Sequence, residues 1–195
     1  MVKTFELMEE HMQALSGNKP VKGNISSRLG ELRITLPAHP TPLGTFVESS
    51  DTGNLLSLSG TLPVVNRMLA IAGRLGDNLS VKQGQEAARI ASLNALAVAK
   101  EHLGDINLLK KGVKLTILMA TTEQSSDHAQ VTDGASDLFA AIFGRETGHV
   151  RLVYGVYSLP IGAPVIVDTV FEIEPAGSPN CNTKTLKQTK HKYEN

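Results

Sequence analysis

No stretch narrows the possible folds of this chain more than its closing apolar one, HVRLVYGVYSLPIGAPVIVDTVFEIE (149–174). Two β-rich runs, His149–Ser158 and Pro164–Glu172, are joined there by Leu159-Pro160-Ile161-Gly162-Ala163. A strand with one wet face alternates apolar and polar residues, because successive side chains point to opposite sides. These runs do not alternate cleanly: Val153, Val156, Ile166, Val167 and Val170 put apolar groups on both sides. The sheet that contains them therefore needs cover on both faces. Arg151 sits alone among these apolar residues, with Val153 on its own strand face and Leu152 and Tyr154 on the other. Its guanidinium cannot shed its charge, so burial without an anion is costly. It requires water at a sheet edge, a protein carboxylate, or a ligand's.

Upstream, TFELMEEHMQAL spaces Phe5, Met8, Met12 and Leu15 helically, predicting a helix over Thr4–Leu15 that Gly17 and Pro20 end. Residues 20–44 are rich in turn formers and read as a connector with one extended piece at Leu32–Leu36. A hairpin follows, TFVESS and LLSLSG around Asp51-Thr52-Gly53-Asn54. Another short extended segment is expected at Ala70–Leu75. Ser80 and Gln83 form a capping box that opens a long helix, with Ala87, Ile90, Ala91, Asn94, Ala97 and Val98 on one face and Gly104 as its stop. A strand at Val113–Ala120 and a helix at Ala129–Phe143, ended by Gly144, precede the two closing strands. This order predicts an α+β fold, a mixed β-sheet with two helices packed on one face, plus an extra N-terminal helix. No helix remains for the other face, so self-association into a closed symmetric oligomer is the economical cover. The expected organisation is an N-terminal helix and connector (1–39), a core domain (40–174), and a polar, disordered tail (175–195).

Nineteen Lys and Arg balance nineteen Asp and Glu, which gives no electrostatic attraction for nucleic acid or an anionic membrane. Tryptophan is absent and aromatics are few, so base-stacking platforms are not expected. One cysteine, Cys181, makes neither a disulfide framework nor a thiolate cage. His11, His39, His102, His128, His149 and His191 are scattered without ligand spacing, so no metal is expected. The glycines of Gly53-Asn54-Leu55-Leu56 and Gly73-Arg74-Leu75-Gly76 belong to turns, not to a nucleotide loop. Ser59 lacks nucleophile-elbow spacing. Neither a signal peptide nor an apolar run of spanning length is present, so a cytoplasmic protein is expected.

Four segments together resemble the Rid (YjgF) family of reactive-intermediate deaminases, which has a chorismate-mutase-like fold. They are GNLLSLSGTLP (53–63), AARIASLNALAVAKEHLGDINLLKKGVKL (87–115), VTDGASDLFAAIFG (131–144) and residues 149–174, within a resemblance spanning 40–174. The distinctive pattern is Arg151, seven residues, Leu159-Pro160 and a closing strand, with Ser59-Gly60-x-x-Pro63 after the hairpin. GASDLF and SLNALA are similar to a longer, divergent branch of the family. The resemblance implies a homotrimer with clefts at the subunit interfaces and a 2-imino or 2-enamine acid substrate, such as 2-aminoacrylate. Water adds, ammonia leaves and a 2-keto acid remains, without metal or organic cofactor.

On that resemblance Arg151 falls on the carboxylate-binding arginine, for which guanidinium geometry is suited. Ser59 and Gly60 fall on the small pair lining the cleft. Phe46 stands where many active members have tyrosine, Asp133 where asparagine is usual, and Val153 where cysteine often sits. Ile166 is the largest departure, occupying the place of a water-orienting glutamate. Asp168, two residues along the same strand face at roughly 7 Å, is the substitute the sequence offers, or a partner for Arg151 in an empty cleft. Two readings follow. One is imine hydrolysis with Arg151 and Asp168 as catalytic residues and Phe46, Ser59, Gly60, Asp133, Val153 and Ile166 lining the cleft. The other is a non-catalytic homologue that binds a small carboxylate or enol. A translation-inhibiting ribonuclease, an older description within the family, fits poorly with zero net charge and no evident His or Lys catalytic pair.

Overall fold

A computed structural model describes residues 24–40 and 44–174. The helix expected at Thr4–Leu15 and the tail from 175 lie outside the described residues.

The connector contains a helix that turn composition concealed. α1 (Ile25–Glu31) is capped by Asn24, whose side chain accepts from the Ser27 amide at 2.9 Å. Ile25, Leu29 and Leu32 enter the core, and Arg28 Nε donates to the Ala141 carbonyl at 2.8 Å. Leu32–Leu36, expected to be extended, forms no strand.

β1 (Ser49–Thr52) and β2 (Leu55–Leu58) make the predicted hairpin. Its two-residue turn puts Gly53 at φ 62°, a conformation glycine adopts without steric cost. A second, smaller hairpin joins β3 (Val64–Val65) to β4 (Met68–Leu69). Asn66 and Arg67 both take positive φ, 52° and 65°, as the tightest hairpin connections require. It stands in place of the segment expected at Ala70–Leu75, of which Leu75 alone makes isolated bridges, to Leu79 and Thr121.

α2 (Val81–Leu103) opens on the predicted capping box, Ser80 and Gln83 bonding each other's backbone amides, and ends at Gly104 with φ 74°. β5 (Leu109–Ala120) begins four residues earlier than expected; α3 (His128–Phe143), β6 (Val150–Val156) and β7 (Val165–Ile173) follow. The five-stranded sheet has the order β1-β2-β7-β5-β6, antiparallel except for the β5–β6 pair. That parallel pair needs a crossover, and α3 supplies it.

Both long helices lie on one face. β7 shows why: Val165, Val167, Thr169, Phe171 and Ile173 are buried while Ile166, Asp168, Val170 and Glu172 are half-buried. The first set meets small residues of α2, including Ala87, Ala91 and Ala95, all fully buried. Helix α3 approaches α2 so closely that a Cβ on Gly134 would collide with the Gln85 carbonyl. Gly155 plays the same part at the sheet edge, where a Cβ would stand 2.6 Å from His128 Nε2. The opposite face carries no helix among the described residues. Val150, Leu152 and Tyr154 are 65, 40 and 50% exposed there.

Candidate functional site

β6 is an edge strand, and its register settles where Arg151 points. Arg151 pairs with Leu115 and Val153 with Ile117, both buried beneath the helices, so Arg151 and Val153 lie on the helix side. Val153 packs against the core. Arg151 Nη1 donates to Asp133 Oδ1 at 2.8 Å and to Ser136 Oγ at 3.0 Å. Asp133 and Ser136, three residues apart on α3, share a helix face. Ser136 Oγ also lies 3.0 Å from Nε2 of His149, the residue before β6. Asp133, Arg151, Ser136 and His149 thus form one hydrogen-bonded chain.

Of the three answers open to this arginine, the isolated chain gives the protein carboxylate. The pair is a weak lock. Its side chains are 27% and 48% exposed, and exposed ion pairs contribute about 0.2–1 kcal/mol. Both bonds use Nη1; among the described residues Nε and Nη2 make none. Burial first and the Arg151 charge second push the His149 pKa below the ordinary imidazole value of 6.5, which favours its neutral form. Its ring meets the edge of Phe139 at 6.0 Å. Ser136 and His149 also line a cavity of about 250 Å³ with Phe139, Phe143, Asp137 and Arg145.

The remaining predicted residues lie elsewhere. Asp168 pairs with Thr116, which pairs in turn with Leu152, so Asp168 and Ile166 face the helix-free side. A Cβ on Gly60 would stand 2.5 Å from Ile166 Cγ2. Ser59 Oγ donates to the Val47 carbonyl at 2.7 Å, beside half-exposed Phe46. Within one chain, then, Ile166 and Asp168, with Gly60 against Ile166, are separated from Arg151 and Val153: β7 and β6 are divided by β5, and the two sets use opposite faces. Asp168 does not pair with Arg151 in this chain; Asp133 does.

Sequence reasoning did not single out Ser136 or His149. A signal existed: His149 and Arg151 share strand parity, and Asp133 and Ser136 are one helical turn apart. Only packing shows that the two pairs meet. Of the other histidines, His102 bridges Ser49 and Asp51, and His39 lies 3.3 Å from Glu48. Burial raises the Glu48 pKa; His39 opposes that shift and Glu101 adds to it. His128 opens α3, one residue before the helix start expected at Ala129. Among the described residues no group of three or more His, Cys, Asp or Glu is placed to hold a metal ion, and no helix is long and apolar enough to cross a membrane.

With this geometry in hand, comparison with known proteins is informative. The sequence profile of the family described as "YjgF/chorismate mutase-like, putative endoribonuclease" matches residues 26–173. Protein TCP17 of Trypanosoma cruzi is 36% identical over 152 residues, 77% of this chain and 95% of that protein. A Shewanella oneidensis protein bearing the same endoribonuclease description superposes with TM-score 0.74 and 30% identity, covering 77% of this chain and 100% of that one. A protein of unknown function from Agrobacterium tumefaciens does so with TM-score 0.70 and 32% identity, covering 87% of this chain and 99% of that one.

Proposed function

Since the chain belongs to the YjgF/chorismate-mutase-like family, we propose that it hydrolyses reactive 2-imino or 2-enamine acids to 2-keto acids and ammonia in a cleft shared by two copies, within a homotrimer. The observation that carries this is the state of Arg151: an edge-strand guanidinium bound through one nitrogen to an exposed carboxylate, with Nε and Nη2 making no hydrogen bond among the described residues. A substrate carboxylate approaching Nε and Nη2 finds a planar, bidentate donor pair. Asp133 is displaced at small cost because the pair it leaves is weak.

Two copies are required because the two groups of cleft residues occupy opposite faces of one chain. The helix-free face, with Val150, Leu152 and Tyr154 exposed on β6 and Ile166 and Val170 half-buried on β7 across β5, is the apolar surface a neighbour would cover. Such packing brings the Phe46, Ser59, Gly60, Ile166 and Asp168 group of one copy toward the Arg151 edge of the next. Arg151 then fixes the acid end of the substrate. Asp168 of the neighbouring copy orients the water that adds to the imine carbon. Holding water and imine together supplies much of the acceleration.

The test is ketoacid release from 2-iminopropionate generated in solution by an amino-acid oxidase. Wild-type protein accelerates it and Arg151→Ala does not; no acceleration across apolar and polar imino acids would end the reading. A second reading, ligand binding without turnover, is favoured by Ile166, which packs toward Gly60 where a water-orienting carboxylate is wanted. It predicts thermal stabilisation by 2-keto acids with no catalysis. The endoribonuclease description of the relatives would apply here only if the protein bound and cut RNA at low salt, for which its balanced charge offers little attraction.

A further inference from the structure

The hydroxyl of Ser136 is in contact with three things at once. Arg151 Nη1 donates to it at 3.0 Å, His149 Nε2 lies 3.0 Å away, and it lines the cavity of about 250 Å³ that His149 also borders. A serine hydroxyl has one proton and two lone pairs. With Arg151 donating to one lone pair, the proton is free to point at Nε2 of a neutral imidazole protonated on Nδ1. The charged groups around that ring are Arg151 on β6, Asp133 and Asp137 on α3, and Arg145 in the turn after α3; β5 presents Gly112 there. Burial and the Arg151 charge favour the neutral ring, and in its Nδ1-protonated tautomer Nε2 accepts the Ser136 proton.

We infer that Ser136 and His149 are the proton relay of the Arg151 site, performing the acid–base work that isoleucine at position 166 cannot. This rests on the imine-hydrolysis reading above. A water molecule on Ser136 Oγ gives its proton to that oxygen as the serine proton passes to His149 Nε2. The water oxygen bonds to the imine carbon, and the C=N π pair moves to nitrogen. The proton on His149 then returns through Ser136 to that nitrogen, giving a carbinolamine. In the second half His149 takes the carbinolamine hydroxyl proton through Ser136. The C–N bond breaks as the carbonyl forms, and the departing nitrogen receives the same proton and leaves as ammonia. The relay ends as it began, and one water is consumed for one ammonia and one 2-keto acid. Ser136 touches the reacting water; His149 acts through it.

The experiment measures kcat and KM for 2-iminopropionate from about pH 5 to about pH 8, with wild type, Ser136→Ala, His149→Gln and Arg151→Ala. Glutamine keeps a hydrogen bond to Ser136 but cannot take up a proton, so a merely structural role survives the change. The relay predicts that kcat falls about a hundredfold or more in Ser136→Ala and His149→Gln, with KM little altered. The wild-type profile rises as His149 loses its proton, and that rise is absent from His149→Gln. Arg151→Ala acts on KM as well as kcat. Wild-type turnover with kcat and pH profile preserved in both relay variants overturns the relay and leaves hydrolysis standing. Pyruvate binding through Arg151 with no imine turnover overturns relay and hydrolysis together, in favour of binding alone.

Discussion

Arg151 has two possible anions, one on its own chain and one in solution, and which it holds depends on small energies. Asp133 is exposed enough that its bond to the guanidinium is worth about 0.2–1 kcal/mol. Asp133→Asn should therefore tighten 2-keto acid binding by up to about fivefold, read as a lower Kd. His149 makes a separate prediction. Its pKa is depressed by folding, by burial first and Arg151 second. The unfolded chain thus binds that proton more readily, and the stability His149 contributes is present above 6.5 and lost as pH falls through the folded value. Cooling-reversible melts from about pH 7 to about pH 5 should show a steeper loss of Tm in wild type than in His149→Gln. Arg151 was evident in the sequence because a charge interrupts an apolar strand. Ser136 and His149 were not, because their meeting depends on how far α3 leans over β6. Strand parity correctly joined Asp168 to Ile166, but the face that both share relative to Arg151 needed the register of three strands.

The helices and strands carry their own tests. At the α2–α3 crossing, Gly134 faces backbone, the Gln85 carbonyl, which cannot rotate aside. Gly134→Ala should lower stability by about 1–3 kcal/mol, the usual cost of overpacking, even though alanine favours helix by about 1 kcal/mol; denaturant melts measure this. Glu86 on α2 has a raised pKa because burial outweighs the nearby Arg89. A carboxyl that is more easily protonated when folded contributes stability below its ordinary 4.5 that is lost as pH rises. Glu86→Gln should therefore raise Tm near pH 7 and leave it nearly unchanged near pH 4. Long elements were readable: the Ser80–Gln83 box and Gly104 bracket α2 because caps are local chemistry. α1 was not, since seven residues among prolines and glycines give too few turns for periodicity to register. The β3–β4 hairpin escaped for the same reason of shortness.

At the scale of the whole molecule, one apolar sheet face links the fold to the site. The unalternating strands announced it, and the structure leaves Leu152 and Tyr154 open on it. Leu152→Lys should shift the proposed oligomer toward monomer in light scattering while circular dichroism stays unchanged, and the monomer should lose any acceleration of imine hydrolysis if, as proposed, each copy supplies only part of the cleft. The claim beneath all of this is that the Arg151 guanidinium exchanges its internal partner for a small acid. Calorimetric titration of the assembled protein with pyruvate tests it most directly. Saturable binding that Arg151→Ala abolishes and Asp133→Asn strengthens is the predicted result; the absence of binding, or binding unchanged in Arg151→Ala, would contradict it.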